Sequence, residues 1–175
     1  MSDFKEIDFK ELKFSPYETI AKNWLALTAG NKEKYNSMTV SWGQVGALWN
    51  GESGAIPVVT VYVRPSRFTN HLMEKNQFFT VSSFGDKRRL ELAFLGRRTG
   101  KDFENKILES GLTPMFVDDA VAIEEAELIF VCKKIYEGEI LKENILDDKI
   151  LDKNYSNDNF HKVYVGEIVK VLKKE

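Results

Sequence analysis

The stretch Val58-Val59-Thr60-Val61-Tyr62-Val63 runs directly into Arg64-Pro65-Ser66-Arg67-Phe68-Thr69. Its first half is β-branched or aromatic at every position, the composition of a buried strand. Its second half changes abruptly to proline, small hydroxyls and two arginines, so the chain turns there. A guanidinium is a planar fork suited to bidentate phosphate recognition, and helix starts are common anion sites. The residues alone leave two readings of this turn open, an anion site and a structural cap.

The same strand composition recurs along the chain. It appears at Trp24-Leu25-Ala26-Leu27-Thr28-Ala29, Met38-Thr39-Val40-Ser41-Trp42, Phe78-Phe79-Thr80-Val81-Ser82-Ser83-Phe84, Leu128-Ile129-Phe130-Val131-Cys132 and Val163-Tyr164-Val165-Gly166-Glu167-Ile168-Val169. Helical signals are short. Ser15-Pro16-Tyr17-Glu18 supplies an N-cap serine, a proline at the first helical position and a glutamate at the third. Thr69 to Lys75 forms a second short unit. Leu90, Ala93 and Phe94 repeat at helical spacing, and Asp102 to Ser110 ends at Gly111, a left-handed C-cap. Strands that do not alternate with long helices argue against a doubly wound α/β sheet. The pattern predicts a mainly β, antiparallel barrel with a few short peripheral helices. Gly43 to Gly54, with four glycines, reads as a mobile loop, and Lys142 to Asn159 as a variable loop without chemical content.

The chain has 175 residues and is 43% hydrophobic and 12% aromatic, enough apolar surface for one core and too much for a disordered chain. No repeat and no Pro/Gly/Ser-rich linker interrupts it, so residues 1–175 read as a single domain. The formal charge of −2 gives no overall attraction to nucleic acid or an anionic membrane. The single Cys132 excludes an intrachain disulfide and a CxxC redox pair. Together with an N-terminus lacking an apolar run, this predicts a soluble protein in the reducing cytoplasm. Cys132 itself reads as a buried small hydrophobe.

Several catalytic classes lack their motifs. No two glycines form G-x-G, no phosphate-loop lysine motif occurs, and no G-x-S-x-G elbow is present. His71 and His161 stand far apart without an H-x-x-x-H pattern, so no metal site is expected. The distinctive feature is arginine placement: all six, Arg64, Arg67, Arg88, Arg89, Arg97 and Arg98, fall between positions 64 and 98. Residues 64–106 hold ten Lys/Arg against five Asp/Glu, and the remainder of the chain is correspondingly acidic. A solvated helix surface accounts for Arg88 and Arg89, but not for the pair flanking Pro65-Ser66.

An ordered set of segments resembles the flavin reductase-like FMN-binding proteins, close to the flavoredoxin branch. These are Trp24 to Gly30, Asn36 to Gly43, Val61 to Thr69, Leu95-Gly96-Arg97-Arg98-Thr99-Gly100-Lys101-Asp102, and Tyr155 followed by His161 to Ile168. The resemblance implies an antiparallel Greek-key split β-barrel, a homodimer and one FMN per subunit. By that likeness Asn36, Met38, Thr39, Ser41 and Trp42 border the flavin ring. Arg64, Ser66, Arg67 and Thr69 hold ribityl or phosphate oxygens, Ser82, Ser83 and Phe84 line the adjacent strand, and Arg98, Thr99 and Lys101 complete the anion site. His161 is placed near the flavin, where a catalytic role competes with an ordinary structural one. Trp42 and Trp49 read first as packing aromatics.

The function implied is an FMN-dependent oxidoreductase of the NAD(P)H:flavin reductase type, with NADH or NADPH as reductant and an unidentified electron acceptor. The alternatives are a flavoredoxin-like electron carrier without nicotinamide activity and a non-catalytic FMN-binding protein.

Overall fold

The computed structural model describes residues 3–175. In chain order the strands are β1 (Phe4–Ile7), β2 (Leu25–Gly30), β3 (Tyr35–Val40), β4 (Gly43–Gly51), β5 (Gly54–Val63), β6 (Phe78–Ser83), β7 (Pro114–Val117), β8 (Ala120–Ile123), β9 (Leu128–Glu139) and β10 (Lys162–Lys174). The helices are α1 (Phe68–Lys75), α2 (Arg89–Arg97), α3 (Lys106–Glu109) and α4 (Asp148–Tyr155). The main sheet runs β3-β2-β6-β9-β10-β5-β4, with β1 added on β10, and every pairing is antiparallel. A separate hairpin, β7-β8, packs on β6. No helix among the described residues is long and apolar enough to cross a membrane.

The sheet curls so that strands distant in its order share one core. Leu25 and Leu27 of β2, Val59, Val61 and Val63 of β5, Phe79 and Val81 of β6 and Tyr164 of β10 meet inside it, with Leu72 and Met73 of α1. The period of two sends the intervening residues the other way. Ala26, Ile129 and Val131 join Phe84, Leu92, Leu95 and Ile107 in a second cluster beneath α2, α3 and the β7-β8 hairpin. Strand β2 is therefore buried on both faces, which explains its nearly continuous apolar run.

The short helix at Ser15 begins as its sequence signals, with the Ser15 hydroxyl accepting from the Glu18 N–H, and continues as a π-helical turn over Glu18–Lys22. The expected helices near residues 69–75 and 90–94 form, whereas the Asp102–Ser110 segment contributes only α3 before Gly111 at φ +85°. The glycine-rich stretch from Gly43 is not a loop. It forms edge strand β4, paired from Gly43 opposite Val61 to Gly51 opposite Gly54, so only Glu52 and Ser53 remain as a turn. Largely exposed, β4 carries no buried alternation from which a strand could be read. Ser41 and Trp42 lie outside β3, at the corner where the chain turns into β4.

Gly166 of β10 sits where a Cβ would fall 2.5 Å from Phe79 Cζ and 2.7 Å from the Cys132 Cβ. Both neighbours are fully enclosed. Gly166→Ala should destabilise by about 1–3 kcal/mol through overpacking, lowering the melting temperature by roughly 3–10 °C. An unchanged melting curve would show that the core yields there.

Candidate functional site

Three adjoining hollows lie where β3, β5 and the chain entering β10 meet the helices: a polar cleft, a smaller hollow beside His161, and a third, apolar hollow beyond Trp42. The first is a polar cleft of about 490 Å³, lined among others by Asn36, Met38, Arg64, Ser66, Arg67, Thr69, Arg98 and Thr99. The second, of about 210 Å³, shares Met38, Arg64 and Arg67 with it and adds Thr39, Ser41, Trp42, Tyr62 and His161. The structure thus brings together twelve of the sequence-predicted positions. Lys101 lies on a neighbouring hollow that shares Asn36, Gly100 and Lys106 with the cleft. Ser82, Ser83 and Phe84 line none of these hollows. They sit at the end of the central strand β6, where Ser82 pairs with Ala26 and Ile129 and Phe84 joins the second core. The Ser82 hydroxyl is buried there without a hydrogen-bond partner.

The turn after β5 has a structural role, one of the two readings its residues left open. The Arg64 guanidinium donates to the carbonyls of Asn159 at 2.7 Å and Asn154 at 2.9 Å, and lies 5.4 Å from the Tyr155 ring centre. Ser66 accepts from the Asn159 side chain at 2.8 Å. Arg64 and Ser66 therefore hold down the Asn154–Asn159 segment, whose Asn154, Ser156, Asn157 and Asn159 form a wall of the cleft. The stretch read as a chemically silent loop is part of the site, because its asparagine backbone is what Arg64 binds.

Arg67 is committed differently. It donates once, to the Gly96 carbonyl at 2.9 Å. Lys106, which the sequence reading passed over, donates to the Leu95 carbonyl at 2.7 Å and is only 5% exposed. Both cations thus rest on the last carbonyls of α2, the end of a helix that favours positive charge. Lys106 occupies the first position of α3, where the helix dipole disfavours a cation, and that mismatch is the sequence signal that marks it. Thr39 donates to the Leu92 carbonyl, tying α2 to β3. Asn36 donates to the Thr69 hydroxyl at 2.7 Å. A Cβ on Gly100 would stand 2.3 Å from the Asn36 side-chain oxygen and 2.6 Å from the Phe68 ring, so only glycine lets the segment after α2 close against these residues.

The electrostatics are lopsided. Lys87, Arg88, Lys134, Lys142, Lys162 and Lys170 each pair with a carboxylate. Among the described residues, Arg64, Arg67, Arg97, Arg98 and Lys106 make no ion pair, although Asp102 lines the same cleft. Desolvation, with the Arg67 charge, brings Lys106 down to about 8. Desolvation first, then the Arg64 and Arg67 charges, bring His161 down to about 4. His161 is therefore neutral near pH 7, its Nδ1 2.9 Å from the Tyr155 hydroxyl and its ring 5.0 Å from that of Trp42. Trp42 and Trp49 are not core aromatics; both are largely exposed. No cluster of three or more potential metal ligands occurs among the described residues.

No family model and no curated protein matches the chain. Solved structures do. The FMN-binding domain of a flavin reductase-like enzyme from Shewanella baltica aligns over 98% of this chain and 78% of that one at 13% identity, with TM-score 0.66. Flavoredoxin from Methanosarcina acetivorans aligns over 87% of this chain and 69% of that one at 20% identity, with TM-score 0.64. An FMN-binding protein from Thermus thermophilus with bound p-hydroxybenzaldehyde aligns over 98% and 82% at 17% identity, with TM-score 0.63. The chain has the flavin reductase-like split-barrel fold. In this split barrel the two end strands of the sheet, β3 and β4, are not paired with each other, and the hollows lie beside the corner that joins them.

Two outcomes follow from the geometry. Arg64→Ala releases two carbonyls of the Asn154–Asn159 segment, so limited proteolysis between Lys142 and Asn159 should accelerate several-fold; unchanged cleavage would mean that Arg64 does not hold the wall. The His161 value near 4 lies below its ordinary 6.5, so its stabilising contribution is complete above pH 6.5 and is lost as pH falls toward 4. Melting temperature should drop more between pH 7 and 4.5 in the wild type than in His161→Gln. Parallel pH curves would contradict a buried neutral histidine.

Proposed function

We propose that the chain is an FMN-binding oxidoreductase that holds the FMN phosphate in the cationic cleft and the flavin ring in the hollow beside His161. The observation that carries this reading is a buried cation, Lys106, that has no counter-ion among the described residues and lies in the same cleft as Arg67. A buried lysine whose one hydrogen bond goes to a carbonyl retains donors for a further acceptor, and burying its charge unpaired is costly. A phosphate dianion supplies both. The structural neighbours, a flavoredoxin, an FMN-binding flavin reductase-like domain and the styrene monooxygenase flavin reductase of Pseudomonas putida, support the choice of FMN.

Bound FMN would supply the redox chemistry, taking up two electrons and passing them on. The chain's residues bind and orient. Arg67 and Lys106 neutralise the phosphate, assisted by Arg98 and Thr99 at the cleft rim. Asn36, Ser66 and Thr69 offer neutral polar groups along the cleft, while Trp42 and Tyr155 narrow access of water to the second hollow. His161, neutral near pH 7, positions the Tyr155 hydroxyl and carries no proton that the reaction requires, in keeping with a hydride transfer governed by alignment.

The reductant in this reading is NADH or NADPH, and the setting is the cytoplasm. A flavoredoxin-like carrier is the second reading, favoured by the third hollow beside Trp42: no cation lines it to receive a dinucleotide diphosphate. We also propose a homodimer. Leu48 and Trp49 of β4 and Tyr136 of β9 stand exposed, with the Trp49 and Tyr136 rings 6.2 Å apart, and a second copy would cover them.

Purified protein should bind one FMN per chain non-covalently, and the flavin should be released intact on denaturation. Anaerobic NADH or NADPH should then bleach the flavin absorbance within seconds. Bleaching by dithionite alone would select the carrier, and failure to take up FMN at all would remove the reading.

A further inference from the structure

The third hollow, about 790 Å³, joins the second through shared Ser41, Trp42 and Tyr62. Its walls come from segments distant in sequence. Ile20 belongs to the π-helical turn after Ser15, Trp42 to the β3–β4 corner, Tyr62 to β5, and Ile145, Ile150 and Tyr155 to the segment around α4. Among the described residues no Asp, Glu, Lys, Arg or His lines it, in a chain where 30% of residues are charged. The contrast with the cationic cleft a few residues away is complete.

Its apolar rim is left in water. Tyr17 is 73% exposed, Ile150 50% and Trp42 44%. Such a concentration of exposed large apolar groups around a concavity marks a binding site. The lining also defines the ligand. With no ionic partner, a phosphate, carboxylate or ammonium group would be desolvated without compensation. Trp42, Tyr62 and Tyr155 favour a flat ring. Gln44 accepts the Tyr62 hydroxyl at 3.0 Å through its side-chain oxygen, while its amide nitrogen donates to no partner among the described residues. A carbonyl on the ligand would take that donor.

We propose that this hollow binds a planar, uncharged, carbonyl-bearing ring compound of the quinone class. Binding stands on the hollow alone; the further assignment of this ligand as the second substrate of the flavin rests on the FMN reading above. The segment around α4 serves both hollows, since Asn154 lines the cleft and the apolar hollow alike.

The test is a calorimetric titration of the full-length protein with 2-methyl-1,4-naphthoquinone, run beside 1,4-naphthoquinone-2-sulfonate and, separately, FMN. Saturable binding of one quinone per chain is expected, with the sulfonate at least tenfold weaker. Ile150→Lys, at a half-exposed helix position that leaves the cores intact, should weaken quinone binding at least tenfold. Ala21→Trp, which fills the hollow, should do the same. FMN affinity should stay within twofold in both variants; if FMN binds none of the proteins, the flavin reading fails while the quinone result stands. The proposal is overturned if the wild type shows no saturable quinone binding, if the sulfonate binds equally well, or if neither variant weakens binding. It is also overturned if Ile150→Lys converts a dimer to a monomer in light scattering, because a second copy would then cover the hollow.

Discussion

Two carbonyl oxygens at the end of α2, those of Leu95 and Gly96, set the chemistry of this molecule. They hold Lys106 and Arg67 by one hydrogen bond each, and neither cation has a carboxylate partner among the described residues. A helix C-terminus can fix a cation without neutralising it, whereas an ion pair fixes it by cancelling its charge. Lys87, Lys134, Lys142, Lys162 and Lys170 follow the second arrangement, and Lys106 and Arg67 in the cleft follow the first. Positive potential is thus kept ready where α2 abuts β3. The Thr39 bond to α2 and the close approach allowed by Gly100 keep that junction in register.

From this junction the site grades from ionic to apolar. The cleft holds unpaired cations, the hollow around His161 mixes hydroxyls with aromatics, and the hollow beyond Trp42 has no charge. Arg64 couples the first two by pinning the Asn154–Asn159 wall and lying over Tyr155, whose hydroxyl meets His161. Burial first, then the Arg64 and Arg67 charges, keep His161 neutral near pH 7. A phosphate at one end and a ring at the other is the ligand shape that such a gradient fits.

Much of the fold was legible because burial imposes pattern. The cores of β2, β5, β6, β9 and β10 carry the β-branched and aromatic runs from which they were read. Strand β4 was not, because an exposed edge strand needs neither apolar alternation nor β-branched residues, and its glycines resemble a loop. Residue type alone left the Arg64–Thr69 turn open between an anion site and a structural cap, and only the folded structure separates Arg64, which binds two carbonyls of the Asn154–Asn159 segment, from Arg67, which binds one at the end of α2. Lys106 escaped notice because a lysine in a short polar helix is ordinarily solvated; its burial depends on α2 packing above it. Ser82 and Phe84 lie away from the hollows for a geometric reason: both fall on the same face in the alternation along β6, where Phe84 enters the second core.

The claim on which the account turns is that Lys106 and its neighbours receive a phosphate. The direct measurement is the affinity of FMN against riboflavin, which lacks only that group, for wild type and Lys106→Met from pH 7 to pH 9.5. A charge-assisted hydrogen bond contributes roughly 1.5–3 kcal/mol. Wild-type protein should therefore prefer FMN by about tenfold or more, and the preference should shrink as Lys106 loses its proton above a pH near 8 or somewhat higher with phosphate bound. Lys106→Met should show a smaller preference without that pH dependence. Equal affinities for the two flavins in the wild type, or a preference untouched by Lys106→Met at every pH, would contradict the account.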